Sequence, residues 1–169
     1  MANQVNAIVP YEVAGNGPAS LQVVWNGLVS EVWQLPVQQS SPAVFRAGST
    51  GVGQAAVLNQ NNSVNGPANP AARGEAIQIY ATGGGQTTPP DTTGSVEGSS
   101  GNSTIAPVTV TIGGADAVVL YHVSAPLEIA GLLQVNAVVP AGAVPGEAVP
   151  IVITAGGISS PAGAAIAVR

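Results

Sequence analysis

An all-β fold follows from three features of this 169-residue sequence. Short runs rich in Val, Ile and Thr are separated by Gly, Pro, Asn and Ser, the punctuation of strands and turns. Hydrophobic residues make up 46% but aromatics only 4%, so any core must be built from Val, Ile, Leu and Ala. Finally, 22 Gly and 14 Pro break the chain too often for long helices, and no capped amphipathic segment is evident.

An internal repeat organises these runs. Gln4-Val5-Asn6-Ala7-Ile8-Val9-Pro10 returns as Gln134-Val135-Asn136-Ala137-Val138-Val139-Pro140, an offset of 130 with six of seven residues identical. The match continues without a gap: Leu21 falls on Ile151, Val23 on Ile153, Leu28 on Ile158 and Ser30 on Ser160. Asn26-Gly27 and Gly156-Gly157 share one place between apolar runs, and both suit a two-residue hairpin turn with positive φ. A repeat takes precedence over other signals because it decides architecture. Here it predicts two copies of one unit, the first lacking its front half.

Taken in order, Val5, Ala7 and Val9 alternate with Gln4, Asn6 and Ile8 as a strand stopped by Pro10. Leu21 to Trp25 and Leu28 to Val37 form a hairpin around Asn26-Gly27. Gln38-Gln39-Ser40-Ser41-Pro42 marks a boundary, and Ala43-Val44-Phe45 enters the second unit. Val52 to Leu58 is a strand, Asn59 to Pro70 a loop, and Glu75 to Ala81 an alternating strand. Gly83 to Thr104 is a long Gly-, Ser-, Thr- and Pro-rich excursion, of a length that marks function or mobility. Val108 to Ile112 alternates as a half-buried strand and turns at Gly113-Gly114 into Ala117 to Tyr121. Leu132 to Val139, Val149 to Thr154 and Ile158 to Val168 complete the chain. Seven or eight short strands in roughly 125 residues predict an immunoglobulin-like antiparallel β-sandwich. Residues 40–169 are read as one complete unit, and 1–39 as the C-terminal strands of an incomplete one.

Charge is sparse: 7% of residues, with no Lys and only Arg46, Arg73 and Arg169 as cations. A net charge of −5 leaves no electrostatic footprint for nucleic acid or an anionic membrane. A surface so poor in charge is also weakly protected against association. Cysteine is absent, which removes disulfides, thiolate metal sites and thiol nucleophiles. No 18-residue apolar window predicts a membrane span. The N-terminus lacks the basic region and apolar block of a signal peptide, so any export signal is expected upstream of Met1.

Several segments together resemble a known kind of module. They are the second heptapeptide, Val64-Asn65-Gly66-Pro67-Ala68-Asn69-Pro70-Ala71-Ala72-Arg73-Gly74, Ile79-Tyr80-Ala81-Thr82-Gly83 and Pro107-Val108-Thr109-Val110-Thr111-Ile112-Gly113-Gly114. This succession resembles an uncharacterised C-terminal module of secreted proteins from Solibacter-type acidobacteria. Val9-Pro10-Tyr11-Glu12-Val13-Ala14-Gly15 looks like the end of a preceding module of that family. The resemblance implies paired immunoglobulin-like domains, similar to the IPT/TIG type, in a secreted or cell-surface protein. It implies no activity.

Residues able to carry chemistry are few. His122 is the only histidine. It follows Val118-Val119-Leu120-Tyr121, with Asp116 and Glu128 as candidate partners, but no Gly-x-Ser-x-Gly elbow exists. It is read as a solvent-facing residue at a strand end. Asp91 and Glu97 lie in the long excursion, while Glu12, Glu31, Glu75 and Glu147 are scattered, with no aromatic platform for a sugar. Gly48-Ser49-Thr50-Gly51-Val52-Gly53 has the glycines of a phosphate loop without its Lys, and reads as a turn. Asn59 to Asn65 offers amide oxygens but no carboxylate for calcium. No catalytic residue, cofactor or metal ligand is assigned. Trp25, Trp33, Val5 and Val9 are the candidates for interface or ligand contact. The expectation is a non-enzymatic extracellular structural module whose opening residues are covered by upstream sequence, by the second unit of the same chain, or by β-strand addition from a neighbouring copy, the last building oligomers or filaments. The alternative is a carbohydrate- or surface-polymer-binding module using the tryptophans.

Overall fold

The computed structural model describes residues 4–48 and 51–169. Apart from a 3-10 turn at Tyr11–Val13, every regular element among them is a strand. Four short strands precede residue 39: β1 (Ala19–Leu21), β2 (Val24–Trp25), β3 (Leu28–Val29) and β4 (Trp33–Leu35). Next come β5 (Ala43–Val44), β6 (Gly53–Gln54), β7 (Val57–Leu58), β8 (Ala76–Thr82), β9 (Thr87–Thr88) and β10 (Ser103–Thr104). The last six are β11 (Val108–Ile112), β12 (Ala115–Ser124), β13 (Leu132–Val138), β14 (Gly146–Ala155), β15 (Ile158–Ser159) and β16 (Ala164–Val168).

The twelve strands from β5 onward form one curled sheet, ordered β5-β8-β13-β12-β11-β14-β16-β6. All its pairings are antiparallel except β16 with β6, where Ala164 meets Gly53. Strand β12 makes the bend. Its first residues pair with β11, and from Val118 it pairs with β13, with a register shift between Val119 and Tyr121. An irregularity of that kind bends a strand and sharpens its twist. The bridge between Arg46 and Ala55 then draws the two ends of the sheet together.

Alternation along each strand builds the core. Ile77, Ile79 and Ala81 of β8, Val135 and Ala137 of β13, and Ile151, Ile153 and Ala155 of β14 are fully enclosed. With Val110, Ile112 and Ile166 they belong to one aliphatic cluster that contains no aromatic residue. The strands after residue 40 thus fall close to where periodicity puts them, except that Ile158 to Val168 is split into β15 and β16 and the Gly83 to Thr104 excursion holds β9 and β10. The run from Val52 to Leu58 also differs, being broken into β6 and β7 at Ala55, which bridges Arg46 while its N–H donates to Ala165 O at 2.8 Å.

Two expectations are corrected. Residues 4–10 belong to no strand, although their copy in β13 pairs on both sides. Both copies keep the same outward pair: Gln4 Nε2 donates to Asn6 Oδ1 at 2.6 Å, and Gln134 Nε2 to Asn136 Oδ1 at 3.0 Å. What the first copy lacks is neighbouring strands. His122 does not end a strand either. It sits inside β12 opposite Val135 and is half-buried, because β12 runs on to Ser124.

The boundary at residues 38–42 is docked rather than loose. Ser40 is buried and donates to the Ala155 carbonyl at 2.7 Å, and Ser41 N–H donates to Gly83 O at 2.9 Å. Gly83 (φ +75°) and Gly85 (φ +83°) permit this approach. A Cβ on either would lie 1.9 Å from Ser41 O or 2.2 Å from Gln39 O.

Asn65 fastens the loop Asn59–Pro70 to the last strand. Its Nδ2 donates to Asn59 Oδ1 and to Ala167 O, each at 2.9 Å. Its Oδ1 accepts from Ala167 N–H at 2.8 Å and Gln54 Nε2 at 3.0 Å. An unsatisfied buried polar group costs about 1–3 kcal/mol. Asn65→Ala orphans the Ala167 N–H, while Ala167 O keeps its bond from Ala71 N–H at 3.0 Å, so a loss of roughly 1–3 kcal/mol is expected in urea denaturation.

Candidate functional site: an uncovered hairpin face

Two hairpins of this chain share one register. In the first unit Val24 pairs with Val29 and Trp25 with Leu28; in the second Thr154 pairs with Ser159 and Ala155 with Ile158, each 130 residues on. The turns match, with positive φ at Asn26 and Gly27 and again at Gly156 and Gly157. Such left-handed pairs fit the twist of the flanking strands. Even the serine clamp recurs. Val23 N–H donates to Ser30 Oγ at 2.9 Å and Ser30 N–H to Val23 O at 2.9 Å. Ile153 N–H likewise donates to Ser160 Oγ at 3.1 Å and Ser160 N–H to Ile153 O at 2.7 Å.

The outer strand pairs correspond once one extra residue after Ser160 is allowed. Ala19 and Ser20 face Leu35 and Gln34; Val149 and Pro150 face Ile166 and Ala165. Leu21, Val23, Trp25, Trp33 and Leu35 are therefore the counterparts of Ile151, Ile153, Ala155, Ala164 and Ile166. The latter five are at most 1% exposed, whereas the former are 39–66% exposed. Identical local geometry thus carries a buried face in one copy and an open one in the other.

Of the four residues singled out from the sequence, Trp25 and Trp33 lie on this face, and Val9 lines the cleft beside it. Trp25 (65%) and Trp33 (66%) are bare, as are Val5 (71%) and Val9 (72%). Sequence reasoning missed Leu21, Val23 and Leu35, although their alignment with Ile151, Ile153 and Ile166 carried the signal. Beside them runs a cleft of about 710 Å³ between residues 7–14 and the sheet, lined by Ile8, Val9, Leu35, Phe45, Ile129 and Leu133.

A polar clasp holds the rim of this cleft. Tyr11 OH donates to Asp91 Oδ2 at 3.2 Å, and Tyr11 N–H donates to Thr93 Oγ1 at 2.9 Å. Asp91 also accepts from Ser124 Oγ and, at 2.7 Å, from Asn102 Nδ2. Thr93 Oγ1 donates to Glu12 Oε2 at 2.7 Å, which lowers the Glu12 pKa. Partial burial, then the charge of Asp91, pushes the Tyr11 hydroxyl up to about 12.

The fold brings Asp91 and Glu97 together across the long excursion. Glu97 is buried and its Oε1 has no hydrogen-bond partner. Its pKa is raised, first by desolvation, then by the charge of Asp91 and a hydrogen bond with it.

The other candidates are occupied structurally. His122 Nδ1 lies 2.7 Å from Thr104 Oγ1, and burial lowers its pKa. Asp116 and Glu128 are exposed and are not its partners. Glu75 accepts from Ala72 N–H at 3.0 Å. Asn59 and Asn65 spend their amides on each other and on backbone. No group of three His, Cys, Asp or Glu able to hold a metal occurs among the described residues. In the run 48–53, Ser49 and Thr50 lie outside the described residues. No helix is long and apolar enough to cross a membrane among the described residues. No protein-family model, curated protein or solved structure matches this chain.

The clasp has a pH signature. Folded Glu97 holds its proton more tightly than an unfolded glutamate, so its contribution is full below the ordinary carboxylate range and is lost as pH rises through the raised value. Glu97→Gln removes that loss. Its melting temperature should exceed the parent's at pH 7, by roughly 2–4 °C if about 1 kcal/mol is recovered, and match it near pH 3. Calorimetry across that range reads the difference.

Proposed function

We propose that this chain is a non-enzymatic structural module of secreted or cell-surface proteins, assembling with like units through residues 4–39. In this reading residues 40–169 form a complete immunoglobulin-like β-sandwich, similar to the IPT/TIG type. Residues 4–39 are the back half of a second one, completed by β-strand complementation. The single observation that carries the proposal is the open face of Leu21, Val23, Trp25, Trp33 and Leu35, whose counterparts are sealed in the core. Burying a large apolar side chain is worth roughly 1.5–3 kcal/mol, so leaving five half-exposed forgoes on the order of 4–8 kcal/mol. An intermolecular complement recovers it.

Several features support this reading over catalysis. The one histidine bonds a threonine, and the Asp91 carboxylate is engaged by Tyr11, Ser124 and Asn102. With charge on only 7% of residues, little repulsion opposes close approach of like surfaces.

A second reading, recognition of carbohydrate or another surface polymer, is favoured by the exposure of both tryptophans. Aromatic faces stack on sugars, but here their neighbours are Leu21 and Leu35 rather than hydrogen-bonding side chains. Glycan-array binding that disappears in Trp25→Ala or Trp33→Ala would carry this alternative.

Light scattering tests the assembly. The parent chain is expected to form oligomers at micromolar concentration. Leu21→Ser with Leu35→Ser should shift it to monomer with the far-ultraviolet spectrum and the unfolding transition of residues 40–169 retained. A parent that is monomeric throughout would end the proposal.

A further inference from the structure

From this reading we infer one specific contact: the free edge of residues 19–25 accepts an added antiparallel strand with the apolar pattern of β11, in a fixed register. The inference rests on the assembly proposal and assigns the edge, the direction and the donor's chemistry.

The second unit displays the finished arrangement. Strand β14 has partners on both sides: β15 and β16 on one, β11 on the other. Along the β11 side Ile112 lies opposite Ile151, Thr111 opposite Val152, Val110 opposite Ile153, Thr109 opposite Thr154 and Val108 opposite Ala155. In the first unit β1 and β2 keep the β4 and β3 partners but pair with no other strand among the described residues. Their other edge presents the backbone groups that β14 gives to β11. An open edge of this kind templates a further strand.

Register follows from the repeat. Subtracting 130 sets the donor's first apolar residue beside Trp25, its second beside Val23 and its third beside Leu21. The polar residues between them face Val24 and Gln22 on the outer side. A one-residue slip would turn the donor's apolar row to solvent, so the alternation selects the register. The occupant is therefore an extended segment with Val or Ile at three alternate positions and small polar residues between. Main-chain bonds supply attachment and the apolar row supplies selection.

Disulfide trapping reads both, and the chain has no cysteine to interfere. Full-length chain carrying Gln22→Cys, and separately Val24→Cys, is mixed with synthetic peptides of residues 106–113 carrying Thr111→Cys or Thr109→Cys. All four positions lie on the outer side, so no core contact is lost. Gln22→Cys should capture the Thr111→Cys peptide at least ten-fold faster than the Thr109→Cys peptide, and Val24→Cys should reverse the preference. Equal capture of both peptides, or of a scrambled peptide, overturns the inference. So does cross-linking of Gln22→Cys chains to one another with no peptide captured, which would show a second copy on that edge. Oligomers in light scattering without register-specific capture remove this contact and leave the assembly reading. Capture in register by a chain that stays monomeric removes self-assembly and leaves the contact.

Discussion

Everything in residues 40–169 depends on closure of a curled sheet over its own inner side. A strand built of alternating residues can satisfy its backbone with one or two neighbours, but its apolar row is stabilised only by a layer across from it. For Ile151, Ile153 and Ile166 that layer comes from β8 and β13, whose Ile77, Ile79 and Val135 belong to the same cluster. Because the cluster contains no aromatic side chain, close approach of the two sides replaces bulk as the source of packing. The bend in β12 is what makes that approach possible.

The two hairpins separate local from tertiary causes. Turn chemistry at Asn26-Gly27 and Gly156-Gly157, with a serine four residues after the turn's first position, sets register without help from a core. Burial follows different rules, since the same alternation gives an enclosed row in one copy and a bare one in the other. Local geometry is a property of the segment, and its stability belongs to the surroundings. The docked boundary at Ser40, held against Gly83 and Gly85, and the Tyr11–Asp91 clasp keep the bare row beside the body without covering it.

Much of this was legible in the sequence, for reasons that differ by element. Ile77, Ile79 and Ala81 alternate cleanly, and so do Val108, Val110 and Ile112, so strand and buried face are both read from period two. The repeat exposed the shared hairpin because turn residues are tied to backbone angles that few side chains tolerate. Residues 4–9 misled because a strand needs neighbours as well as a pattern, and the pattern cannot say whether they are there. His122 was misplaced by the five-residue apolar pattern from Ala117 to Tyr121, when β12 continues on its pairings with β10 and β13. The Asp91–Glu97–Tyr11–Ser124 clasp joins positions from three distant segments. Only the path of the long excursion brings them together, and composition carries no trace of that path.

The open row also limits what can cover it. Where the second unit has Ala155 and Ala164, the first has Trp25 and Trp33, so its inner side carries far more volume at two positions. Interiors pack near crystal density, and adding even a few methylenes to a filled core strains it. A layer shaped like β8 and β13, which fits two alanines, would clash with two indoles. In the proposed assembly the complement of the first row must therefore be hollowed opposite the tryptophans, with small residues where the second unit is full. The mismatch sets the two rows apart, and the inner sides of β8 and β13 are already taken by β14 and β16 in the shared cluster. It also makes the tryptophans the selective element of the surface, since they reject a cover built for the other copy while offering the largest area to one built for them.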